Sequence, residues 1–141
     1  MERIEKQMQF ILEIDKEKQI KRKTLQSNGK DFEDDAQHAW HMAIMTLLLS
    51  EYANDEIDVL KTISMLLIHD LVEIDAGDTY AYDDQGLKTQ NERENLAANR
   101  IFNLLPKIRP KKYLICGMNL RKEKRLKLSL PGCWIIFSLL C

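Results

Sequence analysis

The stretch Leu67-Ile68-His69-Asp70-Leu71-Val72-Glu73-Ile74-Asp75-Ala76-Gly77-Asp78-Thr79 joins an apolar run to a turn-rich segment and sets an imidazole and four carboxylates at the junction. The run from Ile63 to Ile68 ahead of it is too apolar for a surface helix, so Glu56 to Asp70 is expected to be a buried helix with Asn54 or Asp55 as its cap. A strand over Leu66 to Ile68 is the weaker alternative in that helical context. His69 and Asp70 then emerge where burying a charge is costly, a cost that a divalent cation would remove. Glu73 lies four residues beyond His69 and three beyond Asp70, on the same helical face one turn on, where it can bond a water on that cation. Gly77 allows a sharp turn that returns Asp78 as a second carboxylate toward the water. Taken singly, Glu73 and Asp78 read equally well as helix-end solubility and turn capping.

Upstream, Ala36 to Tyr52 has few polar positions and is expected to be a central helix carrying His38. A helical histidine is more often a hydrogen-bonded core residue than a ligand. Neighbours on a helix point about 100° apart, so His69 and Asp70 share an ion only in a crevice between crossing helices, and His38 lies on the second helix. Imidazole with carboxylate suits Mn²⁺, Fe²⁺, Co²⁺ or Zn²⁺ better than Ca²⁺, with Mg²⁺ less favoured. Further out, Ile4, Met8, Ile11 and Ile14 mark an amphipathic helix to about Lys18, and the polar Lys21 to Asp35 reads as a loop. Thr89 to Leu105 regains helical periodicity through Leu96, Ala97, Arg100, Ile101 and Leu104, and Pro106 ends it. The fold class is all-α.

A chain of 141 residues is long enough for one real core. Its 45% apolar and 30% charged residues, with few Gly and Pro, suit a helical domain. A formal charge of −1 argues against a nucleic-acid binder, and no apolar run reaches membrane-spanning length, so a cytoplasmic protein with no membrane partner is expected. Cys116, Cys133 and Cys141 show no C-x-x-C spacing and read as free thiols. From Lys107 onward the composition turns basic, with Glu123 the only acid.

With the motif Asp34-Asp35-Ala36-Gln37-His38-Ala39-Trp40-His41, the Leu67 to Thr79 stretch resembles the HD-domain 5'-deoxynucleotidase family. The resemblance spans about residues 1–106, which would form the HD domain. It implies an all-α helical bundle with a metal site between helices, a small-molecule nucleotide substrate, removal of phosphate from deoxynucleoside 5'-monophosphates with a divalent metal, and a homodimer. By that resemblance His38, His69 and Asp70 are metal ligands, Glu73 and Asp78 catalytic carboxylates, and Arg22 the phosphate-binding arginine. His41 is not a ligand.

The family's fourth ligand is an Asp on a later helix, and this sequence has no Asp after Asp84. Read in a shifted frame, the codons of Cys133, Trp134 and Ile135 must give Leu-Asp. With permitted third bases, Lys107 to Ile136 becomes an acidic, amphipathic segment like the family's missing helices. Residues 107–141 are therefore expected to be an aberrant, frameshifted tail, and the chain an impaired enzyme. The rival expectation is a catalytically inactive HD-type nucleotide-binding or interaction domain. A purely structural helical module would leave His38, His69, Asp70 and Glu73 unrelated.

Overall fold

The structure is a computed structural model that describes residues 2–53, 57–78 and 84–106. It is mostly helical and divides into two compact units, one of residues up to His38 and from Asp70 on, the other built on Ala39–His69. No described helix is long and apolar enough to cross a membrane.

In the first unit, helix α1 spans Arg3–Ile14 and runs into a 3-10 turn, Asp15–Gln19, close to the expected end at Lys18. The Glu5 carboxylate accepts the Glu2 backbone N–H at 2.8 Å, satisfying a donor at the helix start. Phe10 meets Phe102 with ring centroids 6.4 Å apart, whereas Ile4, Met8 and Ile11 of the expected stripe stay exposed.

The expected loop from Lys21 to Asp35 is instead a hairpin. Strand β1, Lys21–Leu25, pairs antiparallel with β2, Phe32–Asp34, through Lys21↔Asp34 and Leu25↔Phe32 with an irregularity between. Asn28 Oδ1 accepts the N–H groups of Lys30 and Asp31 at 2.9 and 3.1 Å, and Gly29 takes φ 67°, so Ser27 to Gly29 does form the turn. The strands escaped the sequence reading because they lack apolar alternation; their side chains form ion pairs instead of lining a core.

Helix α2, Asp35–Leu49, starts on a reciprocal cap: Gln37 N–H donates to Asp34 Oδ1 at 2.9 Å and Asp34 N–H to Gln37 Oε1 at 3.1 Å. The first unit is completed by a single turn, α4, Glu73–Ala76, and by α5, Asp84–Phe102. Leu71, Val72, Ala76, Ala97, Ala98, Ile101 and Phe102 are among its buried apolar residues, and Arg93 fastens α5 to α4 by donating to the Ala76 carbonyl. Leu96 of the expected stripe is exposed, and the helix ends at Phe102, before Pro106.

The second unit holds the rest of α2, a 3-10 turn over Ser50–Tyr52 and helix α3, Val59–Leu66. Met42, Met65 and Leu66 form its core with Met45 against them. Asn54, Asp55 and Glu56 lie outside the described residues; the cap is Asp58, whose Oδ1 accepts Lys61 N–H at 2.9 Å. The apolar run from Ile63 to Ile68 is only partly buried, with Leu67 45% exposed, and Leu60 ahead of it is 71% exposed. The helix does not continue to Asp70 either. The His69 ring Nδ1 lies 2.7 Å from the Leu66 carbonyl, the acceptor that the Asp70 N–H would need for one more helical turn.

Candidate metal centre

Strand β1 delivers Arg22 into a group of buried carboxylates. Its Nη1 donates to Asp35 Oδ1 and to Asp70 Oδ2, both at 2.9 Å, and lies 4.0 Å from Glu73 Oε2. Its Nε is 3.8 Å from Glu33 Oε1. Asp35 has no exposed surface, and Glu17, Glu33, Asp34, Asp70 and Glu73 are buried as well. Asp35 comes from the first turn of α2, Glu73 from the first turn of α4, and Asp70 from the turn before α4, where its carbonyl accepts Glu73 N–H at 2.7 Å.

This concentration of like charge is costly in a medium of low polarity. Burial, and then the charges of Asp70, Asp35 and Asp34, push the Glu17 carboxyl up to about 8. Burial and the neighbouring Asp70 likewise push Asp35 up, while Arg22 pulls it back. For Arg22 burial works against the charge, but Asp70 and the bond to Asp35 outweigh it and hold the guanidinium above its ordinary value. The charge of Asp78 is felt by both Arg22 and Asp35.

Both imidazoles are fixed by acceptors at Nδ1. His38 Nδ1 is 2.9 Å from Glu33 Oε1, and His69 Nδ1 is 2.7 Å from the Leu66 carbonyl. A carboxylate and a carbonyl accept, so each ring directs an Nδ1–H at its partner and leaves Nε2 facing away from it. Metal-binding histidines are commonly oriented this way. His38 and Asp70 offer ligand atoms within 4.8 Å of each other, as do Asp35, Asp70 and Glu73 among themselves.

A profile of the HD domain matches residues 14–116 of this sequence. The chain belongs to the HD-domain family. It is similar to a predicted metal-dependent phosphohydrolase from Magnetospirillum magnetotacticum MS-1, with 43% sequence identity and a TM-score of 0.78. The match covers 86% of this chain and 60% of that one, so this HD domain spans about three fifths of its neighbour's length. No protein of curated function matches the sequence.

Of the residues expected to form the site of this HD domain, Arg22, Asp70 and Glu73 come together around one guanidinium, with Asp78 within electrostatic reach. His38 stands at the end of the same unit, and His69 precedes Asp70 in the chain. Glu73 does not share a helix with His69 and Asp70, since a turn separates α3 from α4. His41 is exposed, its ring stacked beside Trp40. Sequence reasoning missed Glu17, Glu33 and Asp35. Asp35 carried a signal: an acid three residues before His38 lies on the same helical face. Glu17 and Glu33 had none, because each sits in a polar segment that looks solvent-exposed.

Proposed function

We propose that this HD domain is the metal-binding part of a phosphohydrolase that removes phosphate from deoxynucleoside 5'-monophosphates. The observation that carries the reading is the Nδ1-anchored imidazole of His38 with a ligand atom within 4.8 Å of Asp70, itself part of a buried, carboxylate-rich group. Two imidazoles and one carboxylate fit a borderline divalent cation such as Mn²⁺, Fe²⁺, Co²⁺ or Zn²⁺, with His38, His69 and Asp70 as its ligands. Such a cation, when bound, supplies Lewis acidity toward a phosphate oxygen and makes water acidic enough to attack near neutral pH.

The chain's own residues do the rest. Glu73, buried at the start of α4, orients the attacking water and takes its proton. Arg22, held in place by Asp35 and Asp70, contributes positive charge against the phosphate oxygens as the leaving group departs. Asp78, beyond the Gly77 turn, assists proton movement or holds the sugar. Dimerisation with a second copy completes the reading; the exposed Trp40, Leu47 and Leu48 of α2 support such a partner.

A second reading is an inactive HD-type domain that binds a nucleotide or a partner without turnover, for which the lack of an Asp among residues 85–141 is the supporting observation. Under both readings, residues 107–141 are a frameshifted tail, which sequencing of the coding DNA around Lys107 tests. To test the function, the chain as written and a frame-restored version are titrated with Co²⁺ and then assayed for phosphate release from deoxynucleoside 5'-monophosphates. Metal binding by both, with strong release by the restored chain and weak release by the chain as written, is expected. Metal binding without release by either would establish the inactive reading. No Co²⁺ binding by either would overturn both the metal assignment and the enzyme.

A further inference from the structure

The proposed chemistry gives Glu33 no role, yet this carboxylate is buried and its Oε1 lies 2.9 Å from His38 Nδ1. The same oxygen is 3.8 Å from Arg22 Nε. We infer that Glu33 is a positioning residue: it accepts a hydrogen bond from the Nδ1–H of His38, sets the ring with its Nε2 lone pair as the donor, and ties that ring to the strand that carries Arg22. The inference rests on His38 being a metal ligand, as proposed above.

Three features of the molecule support the assignment. First, the link between Glu33 and His38 is stiff. Glu33 belongs to β2, His38 to the first turns of α2, and the corner between them is closed by the two hydrogen bonds between Asp34 and Gln37. Fixed backbone on both sides leaves the side chains little freedom to part. Second, Arg22 and Glu33 each stand one residue in from the Lys21↔Asp34 pair of the hairpin, and their side chains meet at 3.8 Å. One carboxylate thus touches both a proposed ligand and the proposed phosphate-binding cation. Third, a carboxylate at Nδ1 selects one tautomer of the imidazole and increases the electron density that Nε2 can donate. Loss of such a partner typically weakens metal binding by about 10–100-fold. A Glu33 serving only to pair with Arg22 would leave the tautomer of His38 unaffected.

The test uses the full chain as wild type, Glu33→Ala, Glu33→Gln and His38→Ala, the last to assign the His38 signals. Two quantities are read: the tautomer of His38 in the metal-free protein, from long-range ¹⁵N–¹H NMR, and the Co²⁺ affinity, from the visible absorption of the bound ion. Wild type is expected to show the Nδ1–H tautomer. Glu33→Ala should shift the ring toward Nε2–H and lower Co²⁺ affinity by about 10–100-fold. In Glu33→Gln the amide oxygen still accepts the proton, so the tautomer should persist and the affinity fall by less than in Glu33→Ala. Wild-type tautomer in Glu33→Ala overturns the inference, whether or not the affinity falls. So does an Nε2–H ring in the wild type, a result that needs no variant to fold. If the wild type shows the Nδ1–H tautomer but binds no Co²⁺, the metal reading itself fails. If it binds Co²⁺ and Glu33→Ala binds equally well, only the role of Glu33 fails.

Discussion

Arg22 Nη1 donates to Asp35 Oδ1 at 2.9 Å, and Asp35 has no surface in contact with solvent. The same Nη1 reaches Asp70 at 2.9 Å, so a single nitrogen bridges the start of α2 and the turn before α4. Removing the guanidinium takes from the buried Asp35 and Asp70 the cation that hydrogen-bonds to both. Arg22→Ala should therefore cost about 3–5 kcal/mol in urea unfolding at neutral pH, with part of the loss recovered in acid as the carboxylates take up protons. Arg22→Lys should fall between, since an ammonium keeps the charge without the planar fork. A loss below about 1 kcal/mol for Arg22→Ala would show that the cluster does not depend on this cation.

Glu17 gives a pH dependence whose sign is set by burial. Its carboxyl stands at about 8 in the folded chain against an ordinary 4.5. Between those values the folded state holds a proton that the unfolded state has released. Stability is therefore lost as pH rises through that window and levels off above it. With the metal chelated, Glu17→Gln should be more stable than wild type at pH 9 by a few kcal/mol, at about 1.4 kcal/mol for each pH unit separating the two values. The advantage should shrink toward pH 5. Parallel curves for the two proteins from pH 5 to 9 would show that burial does not hold a proton on Glu17.

Gly77 ends α4 with φ 73° and ψ 152°, a conformation essentially confined to glycine. A Cβ there would meet nothing within 4 Å, so a substitution strains only the backbone. Gly77→Ala should cost about 1–3 kcal/mol in thermal or urea unfolding. It should also shift the adjoining Asp78 and lower phosphate release in the frame-restored chain. Unchanged stability would mean that the turn can adopt another conformation.

Arg100 provides the contrast to Arg22. It donates to Asp75 Oδ1 and to Glu13 Oε1, both at 2.7 Å, linking α5 to α4 and α1, but its side chain is 44% exposed. In water those charges are screened. Arg100→Ala should cost no more than about 1 kcal/mol, and 1 M salt should reduce the difference further. A loss as large as that for Arg22→Ala would show that exposure is not what separates the two arginines.

Much of the helical layout was legible because it is written in local terms. Helices α1 and α5 follow three- and four-residue periodicity, α2 follows from a run of helix formers with few polar positions, and the Ser27-Asn28-Gly29 turn follows from the side chain of Asn28 and the backbone freedom of Gly29. The hairpin was not legible, because its strands carry Lys, Arg, Thr, Glu and Asp where alternation would need apolar residues. The early end of α3 was hidden for another reason: Ile68 N–H turns to the Met65 carbonyl and the His69 side chain takes the Leu66 carbonyl, bonds that no propensity encodes.

For the candidate site, the sequence by itself determined which residue types were available and pointed to Arg22, His38, His69, Asp70, Glu73 and Asp78, since spacing and family resemblance are both properties of the linear chain. Only the tertiary structure decided that Glu33 and Asp35 are buried beside Arg22, and Glu17 within reach of the charges of Asp70 and Asp35. An acid in a polar segment looks the same in sequence whether it faces solvent or a guanidinium. What distinguishes the two is the distance between residues 13 and 48 positions apart, Arg22 to Asp35 and Arg22 to Asp70, which the chain acquires only on folding.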